Sequence, residues 1–132
     1  MAVRRMFSRS ILCSDVYLRL PVSARALYIF LNMYADDDGF VDNPQTIMRL
    51  TRTTKCDLTR LTEAGFVIPF DNGVVAVTHW RVHNLIRKDR YTPTQYPELL
   101  SSLTLTNGVY SLAPDPAPKW RPPAAEGKVR LG

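Results

Sequence analysis

The sequence predicts a mainly helical α+β domain, and three observations predict it. Apolar residues recur at helical spacing in three stretches between residues 22 and 65. Two β-rich runs, residues 66–70 and 74–78, follow directly and are joined by Asp71-Asn72-Gly73, a string that favours a hairpin turn. Hydrophobic residues make up 45% of the 132-residue chain, too many for a wholly disordered protein and enough for one ordinary core. The folded domain is read as residues 1–112. Pro114, Pro116, Pro118, Pro122 and Pro123 then crowd together, so residues 113–132 read as a disordered Pro-rich tail.

In chain order, Val16, Tyr17, Leu18 and Leu20 suggest a short helical turn closed by Pro21. The first long helix is expected to start with Ser23 as N-cap and Val22 stapled onto Leu27. Leu27, Leu31 and Tyr34 mark its apolar side, and a helix this apolar is expected to be central and mostly buried. Asp36-Asp37-Asp38-Gly39 reads as a solvated turn, because a calcium loop would alternate its ligands and end in a distant Glu. Phe40-Val41 gives one very short strand. Asn43-Pro44 is a helix start, with Asn as cap and Pro at the first position. Ile47, Met48 and Leu50 form the expected buried side of that second helix, with Arg49 and Arg52 outward. Thr53-Thr54 is a tight turn, and Thr54 with Asp57 makes a weakened capping box. A third helix turns Leu58, Leu61 and Thr62 inward and ends at Gly65. Past the hairpin, Pro93 and Pro97 oppose a long helix, and a small hairpin or helix around Asn107-Gly108 closes the domain. The expected core is Leu27, Leu31, Ile47, Leu50, Leu58, Leu61, Phe66 and Val77.

The net charge is +5, which favours an anionic partner, nucleic acid first. The cations sit at the flanks: Arg4, Arg5, Arg9, Arg19 and Arg25 near the start, then Arg81, Arg87, Lys88 and Arg90 after the hairpin, with an acidic turn between. Cys13 and Cys56 read as unpaired thiols of a reducing compartment. With His79 and His83 they match no common zinc spacing, and no metal or cofactor is expected. The two histidines stand four apart, but Trp80 holds the place where a zinc protease needs Glu. Nucleophilic triads, phosphate-binding glycine loops and paired catalytic carboxylates are absent as motifs, so the chain reads as a binding protein and not an enzyme. Residues 6–10 interrupt any signal-peptide stretch, and the apolar run 27–31 is too short to span a bilayer. The expected location is the cytoplasm, with no membrane partner.

The element order helix, short strand, helix, tight turn, helix, strand, turn, strand is that of a winged helix-turn-helix. In that arrangement one helix crosses the DNA backbone and orients the next in the major groove. The expected partner is therefore double-stranded DNA. Arg49, Arg52, Thr54, Lys55, Thr59 and Arg60 are the candidate contacts of the helix pair, because hydroxyls and helix-start N–H groups suit phosphates while Thr and Arg suit base edges. Asn72 is the candidate at the wing tip. Arg81, Arg87, Lys88, Arg90 and Tyr91 form a second basic element, fitted to phosphates with an aromatic for stacking.

Several strings carry a family resemblance: Leu20-Pro21, Ala26-Leu27-Tyr28, Ala35-Asp36-Asp37-Asp38-Gly39-Phe40-Val41, Gly65-Phe66-Val67-Ile68-Pro69-Phe70, Gly73-Val74-Val75, His79-Trp80-Arg81-Val82-His83-Asn84 and Ile86-Arg87-Lys88-Asp89-Arg90-Tyr91-Thr92-Pro93-Thr94. Over roughly residues 3–100 the chain resembles the N-terminal domain of phage replisome organisers, similar to the winged-helix part of DnaD-like primosomal proteins. The resemblance implies binding of phage origin DNA and recruitment of a host helicase-loading or other host protein, with homo-oligomers open. Lys55-Cys56-Asp57, Arg60 and Thr62 depart from the family's acidic pair and more apolar third helix. The Pro-rich tail stands where longer members carry a partner-binding region, so DNA binding carries over more directly than helicase loading. Two alternatives stay open: a winged-helix transcription regulator of a mobile element, and a phage module that grips a host or defence protein without touching DNA.

Overall fold

A computed structural model describes residues 4–112; the expected tail, residues 113–132, lies outside the described residues. The chain is α+β. Two single-turn helices, α1 (Arg9–Leu12) and α2 (Asp15–Leu18), lead into the long α3 (Val22–Tyr34). Then follow β1 (Phe40–Val41), α4 (Pro44–Thr51), α5 (Lys55–Glu63), β2 (Val67–Pro69) and β3 (Val75–Val77). A short α6 (Trp80–His83) and a closing unit of α7 (Pro97–Ser101), β4 (Leu103–Thr106) and β5 (Val109–Leu112) complete the described residues. No helix among them is long and apolar enough to cross a membrane.

The three-stranded sheet has the order β1-β3-β2 and is antiparallel throughout, with Phe40 opposite Ala76 and Ile68 opposite Ala76 on the other side. Because side chains alternate along a strand, this register sorts the sheet into two faces. Val41, Val67, Val75 and Val77 join Leu27, Tyr28, Leu31, Ile47 and Leu61 in the main core. Phe40, Val74 and Ala76 face the other way, onto Tyr96, Leu99, Leu100 and Leu103. The closing unit thus covers the side of the sheet that the helices leave open. The second hairpin, β4–β5, turns at Asn107 and Gly108, both with positive φ, the pair a two-residue turn of this hand requires.

Four expectations need correction. The long helix is preceded by Pro21, not capped by Ser23, and Val22 is 72% exposed, so no staple onto Leu27 forms. That helix is central, with α4 and α5 both packed on it, and buries Ala24, Leu27, Tyr28, Leu31 and Asn32, but it leaves Phe30, Met33 and Tyr34 exposed and so is half buried, not mostly buried. Leu50 is 65% exposed, because Pro44, Ile47 and Met48 already fill the inward face of α4. The turn after α3 is not solvated either: Asp37 and Asp38 are buried. The rest of the expected core (Leu27, Leu31, Ile47, Leu61, Phe66 and Val77) is buried, and Leu58 packs against it from the edge.

Candidate nucleic-acid interface

The α4–turn–α5 unit is set by its caps. Pro44 occupies the first turn of α4, where its missing N–H costs nothing. The helix ends at Arg52, which adopts the left-handed conformation (φ 58°, ψ 33°), and Thr53 N–H then reaches back to the Met48 carbonyl at 3.0 Å. Thr54 starts α5 with the expected box: its N–H donates to the Asp57 carboxylate at 3.0 Å. The other Asp57 oxygen accepts from the Ser23 hydroxyl at 2.7 Å. Burial disfavours the Asp57 charge, but the bonds from Ser23 and Thr54 and the field of Arg60 outweigh it and hold the carboxyl below its usual range. Ser23 is thus a tie between two helix starts, a role its sequence position does not announce.

With Asp57 drawn inward, Arg49, Arg52, Lys55 and Arg60 stand exposed around Thr54 and Thr59. Among the described residues no carboxylate lies within ion-pair distance of any of the four. At the hairpin tip, Asn72 accepts from Val74 N–H at 3.2 Å, which leaves its amide N–H groups outward.

The second basic element is built differently. Asp38 accepts from Arg81 Nη2 at 2.7 Å, from the Tyr91 hydroxyl at 2.7 Å and from Thr94 N–H at 2.9 Å. Asp37 accepts from Thr92 N–H at 2.9 Å and lies 3.5 Å from the buried Arg5 guanidinium. Asp36 accepts from the Thr94 hydroxyl and from the N–H groups of Asp38 and Phe40. The three carboxylates therefore clamp residues 91–94 onto the end of α3. Gly39 makes the close approach possible: its φ is +88°, and a Cβ there would lie 2.6 Å from the Trp80 ring. Trp80 in turn donates its indole N–H to the Asp37 carbonyl, and Tyr110 its hydroxyl to that of Asp38.

Arg81 and Tyr91 are consequently engaged inside the protein. Burial, then the facing Asp38 carboxylate, push the Tyr91 phenol up to about 12, so it remains a donor. Arg87 pairs with Asp89 at 3.1 Å in full exposure, and Lys88 and Arg90 are exposed. The N-terminal segment joins the same end of the molecule. Met6 N–H donates to Asn84 at 3.0 Å and Ser8 N–H to Nδ1 of His83 at 2.8 Å. A ring that accepts at Nδ1 carries its proton on Nε2 when neutral, and that N–H faces the Tyr28 hydroxyl at 2.6 Å. Burial, with His79 nearby, lowers the His83 pKa to about 4. His83 is thus a structural latch.

Sequence reasoning missed this clamp because an Asp-Asp-Asp-Gly string looks the same in a solvated turn and in a buried hub. The available signal was the pairing of two strings, residues 35–41 and 86–94, within one resemblance. Beside the clamp lies a cavity of about 280 Å³ bordered by Tyr34, Asp36, Asp37, Phe40, Asp42, Thr92 and Tyr96. No family model, no curated protein and no solved structure matches the chain.

Proposed function

We propose that this protein binds double-stranded DNA through a winged helix-turn-helix, with α5 entering the major groove and the β2–β3 turn as the wing. The order α3, β1, α4, α5, β2, β3 and the strand order β1-β3-β2 support the architecture. The observation that carries the reading is the asymmetry of charge at α5. Arg49, Arg52, Lys55 and Arg60 are exposed and have no ion-pair partner among the described residues, while Asp57, the acid of the first turn, is turned into the protein. Lys55 and Arg52 are placed for phosphates, with Thr54 at the helix start. Thr59 and Arg60, one turn further along α5, are the residues for base edges. Asn72 takes the adjacent backbone from the wing.

Fluorescence anisotropy on labelled duplexes at several salt concentrations tests this. Arg52→Ala or Lys55→Ala should weaken binding to every sequence and flatten the log–log salt slope by roughly 0.9 each, because one fewer counterion is released. Thr59→Ala or Arg60→Ala should weaken a preferred site by roughly 1–3 kcal/mol and spare unrelated sequence. Wild-type protein with no salt-dependent duplex binding would overturn the proposal.

A role in replication initiation, with a host helicase-loading protein as partner, rests on the resemblance to replisome organisers. A footprint inside a replication origin supports it; one at a promoter supports a transcription regulator. The acidic and aromatic cavity beside β1 favours the second reading, a protein-binding module. It takes the lead if duplex binding fails.

A further inference from the structure

The cavity beside the aspartate clamp combines aromatic walls with acids. Tyr34, Phe40 and Tyr96 form the walls, with the Phe40 and Tyr96 ring centres 6.4 Å apart, and Asp36, Asp37 and Asp42 supply the carboxylates. These acids are not neutralised evenly. Asp37 faces the Arg5 guanidinium and Asp38, behind it, that of Arg81, but Asp36 receives only N–H and hydroxyl groups, and Asp42 stands exposed at the rim. Among the described residues no cation lies within ion-pair distance of Asp36 or Asp42. Their fields reach the Tyr96 ring: burial, then Asp42 and Asp36, raise its phenol above the ordinary value. Two uncompensated carboxylates beside ring faces favour a cation carried next to an apolar or aromatic group. At about 280 Å³ the cavity is at the small end of ligand sites, so it holds one large side chain and leaves the neighbours of that side chain on the rim.

This chain carries a segment of that chemistry. Residues 113–132, outside the described residues, hold four cations against two acids, and Lys119-Trp120-Arg121 stands between Pro118 and Pro122-Pro123. Proline fixes φ, so a segment of this composition gives up little chain entropy when it is held, and proline-flanked segments suit aromatic-lined grooves. The fold brings the start of this segment to the cavity. Leu112 pairs with Leu103, which packs with Tyr96 against the Phe40 cluster, and Tyr110 in the same strand donates to the Asp38 carbonyl. Residues 113–118 separate Leu112 from Lys119, a reach of roughly 19 Å at about 3.1 Å per residue.

We propose that the cavity is a binding site for a cationic, proline-flanked segment and that residues 118–123 of this chain occupy it, with Trp120 against the aromatic walls and Lys119 and Arg121 on Asp36 and Asp42. This rests on the protein-binding reading of the cavity, names the class of segment it takes, and needs no duplex binding. A tethered segment faces the site at an effective concentration on the order of millimolar, so a basic partner segment has to displace it.

Quenching of tryptophan emission by acrylamide tests this on the full chain. Trp80 is fully buried and donates to the Asp37 carbonyl, so the accessible emission reports Trp120. Trp120 should be protected in wild type and lose that protection in Asp42→Lys and in Tyr34→Ala, which replace exposed side chains and spare the core. Asp42→Lys combined with Lys119→Asp and Arg121→Asp should recover protection, which a merely structural effect would not do. A synthetic peptide of residues 115–124, titrated by NMR, should bind the tail variant Lys119→Asp, Trp120→Ala, Arg121→Asp at least roughly tenfold more tightly than wild type, whose own segment competes. A wild-type Trp120 as open to acrylamide as that of the free peptide overturns occupancy by the chain's own segment; peptide binding that Asp42→Lys abolishes then leaves the protein-binding reading standing. Protection that grows with protein concentration places the segment of a second copy in the cavity and also overturns the proposal. An open Trp120 together with no peptide binding to the tail variant overturns the site and the protein-binding reading of this cavity with it. Circular dichroism of each variant checks that it folds.

Discussion

The α4–α5 surface and the segment from Arg81 to Thr94 look alike in sequence, each a cluster of cations with an aspartate close by. In the fold they are treated in opposite ways. At α5 the aspartate is withdrawn: Asp57 spends its oxygens on Ser23 and Thr54, and the surrounding cations are left open. At the end of α3 the aspartates reach the cations themselves, and Asp38 alone holds Arg81, Tyr91 and Thr94. The difference lies in which donors the backbone brings to the carboxylate. Where uncharged N–H and hydroxyl groups satisfy it, the arginines stay available to a ligand. Where they do not suffice, the chain's own cations are drawn in and become structure.

The sharpest way to break this comparison is to neutralise each aspartate. Asp38→Asn puts an uncharged amide at a fully buried position that accepts from Arg81, Tyr91 and Thr94. Breaking a fully buried pair typically costs about 3–5 kcal/mol; with the Arg81 side chain 30% exposed, the cost should lie toward about 3 kcal/mol. Asp57→Asn keeps a residue able to cap and removes only charge-assisted bonds, so its cost should be about 0.5–2 kcal/mol. Urea unfolding of both variants measures the two costs. Equal values would mean that the Asp38 cluster is a surface network and that Arg81 remains available for a ligand.

Much of the fold was legible from local rules. The Pro44 start of α4, the Thr54–Asp57 box, the two-residue strand Phe40-Val41 and the first hairpin follow from capping chemistry, turn residues and alternation, all of which act within a few positions; around Asn107-Gly108 the same rules left hairpin and helix both open, and Asn43 starts α4 without a side-chain cap bond. What was not legible acts over long sequence separations. Ser23 looks like an N-cap because caps are local; that it bonds Asp57 depends on α3 and α5 packing. Leu50 looks like core because it stands three residues after Ile47, yet the inward face of α4 runs through Pro44, Ile47 and Met48 and leaves Leu50 outside it. The aspartate clamp joins residues 36–38 to 91–94, and no pattern along the chain encodes that distance. For the candidate interface the sequence picked out the cations, but only the fold divides them into open and engaged.

The His83 latch sharpens the comparison at the N-terminal side of the clamp. Its folded pKa, about 4, lies below the value of roughly 6.5 for an unperturbed histidine. Between these values the unfolded chain binds a proton that the folded one refuses, so stability is full above pH 6.5 and falls as pH drops toward 4. The loss should be on the order of 3 kcal/mol by pH 4. His79, whose pKa burial also lowers, acts in the same direction. Asp57, held below its usual range, contributes only at still lower pH. Urea midpoints at pH 7, 6, 5 and 4 follow the loss, and His83→Gln should flatten the curve. A wild-type midpoint constant from pH 7 to 5 would show that the ring is not buried neutral and that the segment 5–8 is not latched.

The smallest expected effect bears most directly on the open surface. Arg52 holds a left-handed conformation at the end of α4, where a residue with a Cβ costs roughly 1–2 kcal/mol and glycine costs little. Glycine loses more chain entropy on folding, which offsets part of that gain, so Arg52→Gly should stabilise the domain by up to about 1 kcal/mol. In a domain of this size such a gain raises the melting temperature by roughly 4–8 °C. The same change removes a cation from the α5 surface and should flatten the salt slope of duplex binding by roughly 0.9. Stability and affinity would then move in opposite directions at one residue, as expected of a strained position kept for its charge. Arg52→Lys separates the two effects, because it restores the charge without relieving the backbone: the salt slope should return while the melting temperature stays near wild type. A glycine variant that is less stable than wild type would show that Arg52 packs in a way its exposure does not suggest. One that is more stable but binds duplex with an unchanged slope would remove Arg52 from the interface and shift the phosphate contacts to Arg49, Lys55 and Arg60.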